Sequence, residues 1–464
     1  VRKILISCLL ALLLLSGSGS GWAAYHYIRP GATGNNNGND WVNAYPSIPT
    51  LLIRGDTYYL ADGTYPETRF TTPVSGSLSI TIKKAIPADH GIDNGWIDTY
   101  GTGVASFEGT TTGAMVYITT SNWIIDGQTG SEETGHGIKI TTTACGISSK
   151  LLQVAAGASN ITITHVEMEH CGEDIGQYDV TLSQDAFYLN GDGTNDNITI
   201  SNCNIHNASR MLILIAGASN CTIERNAIHH NHNVGVGRPH MQGIQFGSLY
   251  TPRSLVHDVT VRYNVFHEIM GTGVIQALNN DFYNFDIYGN LIYTDNSDRY
   301  STSPRTIGST SNDNTSVHSM HVYNNTIVNQ NIGTSNQCGV SWANIYGEGV
   351  DNTSIVYNNL FYNNANFTIG SGQLRGFNWY YNSNPPTGTQ SEPNIEIGTP
   401  DVFENLSAKI FTLKKSTKTG IPLPSPFNED MFGKIRGGYG VWQRGAYELI
   451  TKRPLSPFAI AITP

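Results

Sequence analysis

One nine-residue phrase recurs along the chain: an Asn-like anchor, alternating hydrophobes, a second Asn, then a return to hydrophobes. It reads NITITHVEM from Asn160, NITISNCNI from Asn197, NCTIERNAI from Asn220 and DVTVRYNVF from Asp258. It continues as NFDIYGNLI from Asn284, SMHVYNNTI from Ser319 and TSIVYNNLF from Thr353. The starts lie 37, 23, 38, 26, 35 and 34 residues apart, so a constant core is joined by loops of variable length. Repeats of roughly 20–50 residues mark solenoids, in which each unit buries its apolar face only by stacking on neighbours. Helical and doubly wound folds find little support in this pattern.

Within a phrase the period is two, which predicts a strand, and four to six residues is strand length. Asn is the non-glycine residue that best accepts a left-handed backbone, and its amide bonds readily to nearby main chain. The sixth position after each anchor is Asn226, Asn264, Asn290, Asn325 and Asn359, while Cys203 and Val166 hold it in the first two coils. Stacked at about 4.8 Å, the five amides are expected to bond from coil to coil, in a ladder that starts late. A further strand precedes each phrase, at Ala186, Leu212, Gly243, Gly273 and Cys338.

Three strands per coil, one asparagine corner and two variable loops describe an all-β, single-stranded right-handed parallel β-helix. The order resembles the pectin-lyase-like superfamily of secreted proteins, across about residues 115–370. GDTYYLADGTYPE from Gly55 resembles the first coil of such proteins, and FGKIRGGYGVWQRGAYEL from Phe432 their closing segment. The expected organisation is a signal peptide (1–23), an entry segment with first coils (24–115), a central β-helix (116–370), C-terminal coils and closing segment (371–450), and a tail (451–464).

The signal peptide is read from Arg2 and Lys3, the apolar run Ile4 to Leu15, and Gly21-Trp22-Ala23. Twelve apolar residues are too few to span a bilayer. A soluble mature chain, secreted or periplasmic, is expected. Its formal charge would pass from −10 to −12 on loss of Arg2 and Lys3. An acidic chain without a basic tract argues against nucleic acid and anionic membranes as partners. The five cysteines left, Cys145, Cys171, Cys203, Cys221 and Cys338, show no metal spacing. Buried free thiols are expected, with a Cys203–Cys221 bridge as the alternative.

Solenoids bind polymers along their extended surfaces. If Ile244 and Phe246 point inward, then Gln245, and by the same logic Tyr188, Gln276 and Ser341, face solvent as a neutral stripe suited to sugar hydroxyls, with Tyr188 placed to stack on a ring. Three residues earlier runs a column of Asp185, Arg210, Gln242 and Arg305, in which Asp185 and Arg210 read as an ion pair or as a site on the groove's rim. The loop before Gln242 brings His229, His230, His232, Arg238 and His240, a set open to proton transfer, ligand contact, metal binding or plain loop polarity. Glu173, Asp174 and Asp179 are candidate Ca²⁺ ligands, or, with Asp185, a source of a glycosidase carboxylate pair.

The resemblance implies polysaccharide lyases, which take the proton beside a uronate carboxylate with a Lys or Arg base, often with Ca²⁺. No lysine lies between Leu151 and Ala408, which excludes a lysine base on those coils. Arg238 and His240 stand as candidate bases and Arg210 as the carboxylate's partner. The Asn-x-Asp, Asp-Asp, Gly-His and Arg-x-Lys series of polygalacturonase-type hydrolases is not present. Two functions stay open: a carbohydrate-active enzyme, or a non-catalytic surface or matrix protein that binds glycans or serves as a rod.

Overall fold

The computed structural model describes residues 23–449, apart from 131–134, 144–146, 171–183, 190, 232–240, 248–254, 270, 272, 279–280, 295–304, 310–315, 329–339, 342–352, 365–373, 384, 386–391 and 439. Alternation sets the local structure. In Ile161–Thr164 the two isoleucines are buried and the two threonines half-buried. The same inward pair repeats in register at Ile198/Ile200, Cys221/Ile223, Val259/Val261 and Phe285/Ile287. Each coil thus stacks apolar side chains on the coil beneath, which makes one continuous core along the axis.

Three parallel sheets result, of nine, twelve and twelve strands among the described residues. One coil shows the order. Gln184–Leu189 lies in the first sheet, Asn195–Ser201 in the second and Asn204–His206 in the third. The chain then returns to the first sheet at Met211–Ile215. The preceding strands anticipated at Ala186, Leu212, Gly243 and Gly273 all fall in the nine-stranded first sheet.

The corners correct one detail of the sequence reading. Left-handed backbone does not fall on the sixth-position asparagines. It falls on the residue before them, at Arg225 (φ 55°), Tyr263 (57°), Gly289 (64°), Asn324 (54°) and Asn358 (58°). It falls again on the anchors, from Asn160 (54°) and Asn197 (56°) to Asn284 (56°) and Ser319 (51°). One residue reverses the chain, and the next turns its amide inward. Asn226 Nδ2 donates to Asn264 Oδ1 (2.9 Å), and Asn264, Asn290, Asn325 and Asn359 each donate to the next amide at 3.0–3.1 Å. The last acceptor is Asn378, one coil beyond the recognised phrases. At the start, Cys203 N–H donates to Asn226 Oδ1 (2.9 Å).

After Glu396–Ile397 the chain forms the hairpin Phe403–Asn405/Ile410–Leu413. It then packs back along the flank of the coils. Trp442 Nε1 donates to Asn324 Oδ1 (3.3 Å), Gly445 N to Asn358 O (2.7 Å) and Arg444 Nη1 to Asn378 O (2.9 Å). Tyr293, Tyr362, Trp379, Phe403, Phe411 and Tyr447 close a second apolar cluster there. Cys203 and Cys221 are free thiols, buried in the main core, and burial pushes each up to about 12. Cys145, Cys171 and Cys338 lie outside the described residues, as do residues 1–22. Among the described residues no helix is long and apolar enough to cross a membrane.

Candidate functional site

On the outer side of the first sheet, one column runs in register from Arg69 through Tyr117, Gln153, Tyr188, Leu214, Gln245 and Gln276 to Gly308 and Ser341. The anticipated stripe is therefore one line, but only its early part is open. Gln245 and Gln276, expected to face solvent, are 4% and 0% exposed. They lie along the sheet instead: Gln245 Nε2 donates to Gly247 O (2.9 Å), and Gln242 Nε2 to Gln276 Oε1 (2.5 Å). Arg305 and Ser341 have strand backbone in register, and their side chains lie outside the described residues.

The open part carries a group that the sequence reading passed over. Lys150, one residue short of the lysine-free span, pairs in register with Asp185, and its ammonium sits 5.1 Å from the centre of the Tyr188 ring. Two coils earlier Arg69 sits 5.3 Å from the Tyr117 ring centre. The signal was present in SKLLQV, the first-sheet strand Ser149–Val154, which precedes the first recognised phrase. A cation held over an aromatic face is attracted by the ring quadrupole. Burial, then the carboxylate of Asp185, raises the Tyr188 phenol, and Arg210 acts the other way.

Asp185 and Arg210 form a forked ion pair, with Arg210 Nε donating to Asp185 Oδ1 at 2.7 Å and Arg210 Nη2 to Oδ2. Met211 N–H donates to the same carboxylate (3.3 Å), and Asp185 is fully buried. Arg210 is one residue out of the expected column: it lies opposite Gln184, and Met211 pairs with Gln242. Asn231 Nδ2 ties this corner to the third sheet by donating to Arg210 O (2.6 Å) and Gln242 O (3.1 Å).

Along the outer side of the third sheet lies a second column that sequence reasoning saw only in part: Glu169, His206, His229, His267 and Tyr293, in register. The rings of His206, His229, His267 and Tyr293 stack at 4.8, 4.5 and 5.2 Å, within 13° of parallel. His229 belongs to it and His230 lies one residue past it, whereas His232, Arg238 and His240 lie outside the described residues, with Glu173, Asp174 and Asp179. The signal was legible as Asn-x-hydrophobe followed by His or Tyr, in AIH, VFH and LIY. Burial, then the neighbouring imidazoles, lowers His229. Lower in the column, Lys139 lies against Glu169 and 3.7 Å from Glu167, and His206 Nε2 is 3.3 Å from Glu167 Oε1. That hydrogen bond from His206, and then Lys139, lowers Glu167.

Residues 107–292 match the family described as the right-handed β-helix region. No curated protein matches the sequence. Among solved structures, pectate lyase Pel9A is similar at 13% identity and a TM-score of 0.46, over 93% of this chain and 98% of that one. An alginate lyase from Paenibacillus sp. str. FPU-7 is similar at 16% identity and a TM-score of 0.35, over 64% and 93%. A mannuronic acid specific polysaccharide family 6 lyase from human gut microbiota is similar at 13% identity and a TM-score of 0.39, over 81% and 91%. Likenesses this distant assign neither a reaction nor a substrate. The protein is a right-handed parallel β-helix.

Proposed function

We propose that the protein binds an acidic extracellular polysaccharide along the early coils of the first sheet and cleaves it by β-elimination. The observation that carries this reading is Lys150 poised over Tyr188 beside the Asp185–Arg210 pair, with Arg69 over Tyr117 further along the same line. In a chain of net charge −10, this line of cations against aromatic faces suits a polymer that offers carboxylates and flat sugar rings. Gln153, between the two aromatic positions, supplies an amide for sugar hydroxyls.

In the reaction a base takes the proton from the carbon next to the carboxylate. That electron pair forms a carbon–carbon double bond as the carbon–oxygen bond to the next sugar breaks. The leaving oxygen takes up a proton. Positive charge at the carboxylate lowers the barrier to the first step; Lys150 and Arg210 are assigned that role, and Arg238 or His240 the base. Ca²⁺ at Glu173, Asp174 and Asp179 would add charge of the same sign. Incubation with polygalacturonate, alginate and neutral controls, with Ca²⁺ or chelator, is expected to give the ultraviolet absorbance of unsaturated uronate from an acidic polymer. Lys150→Ala is expected to cut that rate at least tenfold with the fold intact. No product from any uronate polymer, alongside retained binding, would remove the lyase reading.

One observation favours a non-catalytic alternative. Arg210 is committed to a buried carboxylate, as a structural cross-link between coils would be. On that reading the same face binds polysaccharide without turnover, as in a cell-surface or matrix adhesin.

A further inference from the structure

The third-sheet histidines present an arrangement that polysaccharide binding does not use. His229 Nδ1 and His230 Nδ1 lie 2.5 Å apart. With a nitrogen of His267 they form a set of three donor atoms, all within 4.8 Å of one another. His229 Nε2 lies 2.8 Å from Asn204 Oδ1. A carbonyl oxygen there holds the proton on Nε2 and leaves the Nδ1 lone pair aimed at His230. Metal-binding imidazoles are commonly oriented this way, by a carbonyl on the far nitrogen.

Backbone geometry gives an independent observation. Consecutive strand residues normally point to opposite faces, yet His229 and His230 present their rings to each other, edge to face at 4.8 Å. His230 achieves this with φ 51°, in the left-handed region. The position is a recurrent kink, one residue past the His229 column. Asn207 (φ 62°), Glu268 (50°), Asn363 (50°) and Asn382 (45°) occupy it on other coils. Asn and His are among the non-glycine residues that enter that conformation most readily. The kink is thus shared by several coils, and at 230 it turns an imidazole towards His229 and His267.

We propose that His229, His230 and His267 form a binding site for a first-row divalent transition metal, with Zn²⁺ as the representative ion. An all-imidazole set suits Zn²⁺, Cu²⁺ or Ni²⁺ and discriminates against Ca²⁺, which takes oxygen ligands. Zinc holds imidazole nitrogens at about 2.0–2.1 Å, so tetrahedral ligands stand roughly 3.3 Å apart. His230 therefore retreats by under about 1 Å, and the parallel rings of His229 and His267 tilt toward a common point. The other cluster, Glu167, Glu169 and His206, already holds the ammonium of Lys139, which supplies its positive charge.

The test uses untagged full-length protein, titrated with Zn²⁺ by calorimetry and with Co²⁺ by visible absorption. Wild type is expected to take up one tight equivalent, with an imidazole-bound Co²⁺ spectrum and a raised melting temperature. His230→Asn installs the residue found at 207, 363 and 382; it is expected to fold as wild type does and to lose tight binding by at least a hundredfold. His257→Ala, on the second sheet, is expected to bind as wild type. Absence of stoichiometric uptake overturns the proposal, as does undiminished binding in His230→Asn. Loss of binding in Glu167→Gln or His240→Ala, with His230→Asn unaffected, overturns it equally.

Discussion

Asn290 illustrates how a single side chain serves three coils. Its Nδ2 donates to Val261 O (2.9 Å) and Asn325 Oδ1 (3.0 Å), and its Oδ1 accepts from the backbone and side chain of Asn264 (3.0 and 3.1 Å). Truncation leaves the Asn264 N–H and the Val261 carbonyl buried without their partners, at about 1–3 kcal/mol each. Asn290→Ala is expected to lower unfolding free energy by about 3 kcal/mol in urea denaturation. Asn197, an exposed anchor at φ 56°, should tolerate Gly within about 1 kcal/mol. Equal effects of the two substitutions would contradict the distinction between ladder and anchor. Which asparagines share a column was legible from spacing alone. Which of them take the left-handed backbone was not, because Arg225 and Tyr263 fill the corner on two coils, and neither type advertises that conformation.

At the level of the element, the alternating phrase gave the second- and third-sheet strands because one face is wholly apolar. The first-sheet strand was harder to read for function. Its outward residues change from Tyr188 to Leu214 to Gln245, and whether each is open depends on how it lies along the sheet. Lys150 was passed over for a related reason: it lies one residue outside the lysine-free span, on a strand that no recognised phrase introduces. Asn378 escaped notice because LRGFNWYY lacks the apolar alternation before its asparagine. The closing segment was legible as a motif, but its docking on the asparagine corners was not. Arg444 there is buried, and donates to Asn378 O (2.9 Å) and Thr419 O (3.1 Å). Arg444→Ala is expected to cost about 3 kcal/mol. In hydrogen exchange it should open residues 417–449 while the coil strands stay protected. Uniform deprotection of coils and closing segment would show that the two unfold as one unit.

For the molecule as a whole, buried histidines couple stability to pH. Burial lowers His170 from its ordinary 6.5 to about 4, and it lowers His136 and His229 in the same direction. Each folded value lies below the unfolded one, so the unfolded chain binds the extra proton as pH falls. Stability is full above about pH 6.5 and declines towards pH 4, by about 3 kcal/mol for His170 alone. His170→Gln is expected to flatten that decline, measured as urea midpoints at neutral pH and near pH 4.5. An unchanged slope would place the acid sensitivity elsewhere.

The central claim is that the early coils of the first sheet receive an acidic polysaccharide. A crystal structure with a uronate oligosaccharide bound tests it most directly. The expected result is a sugar ring on Tyr188 with its carboxylate towards Lys150, and the chain running along the column to Tyr117 and Arg69. An oligosaccharide ordered on the second or third sheet, with this column bare, would contradict it.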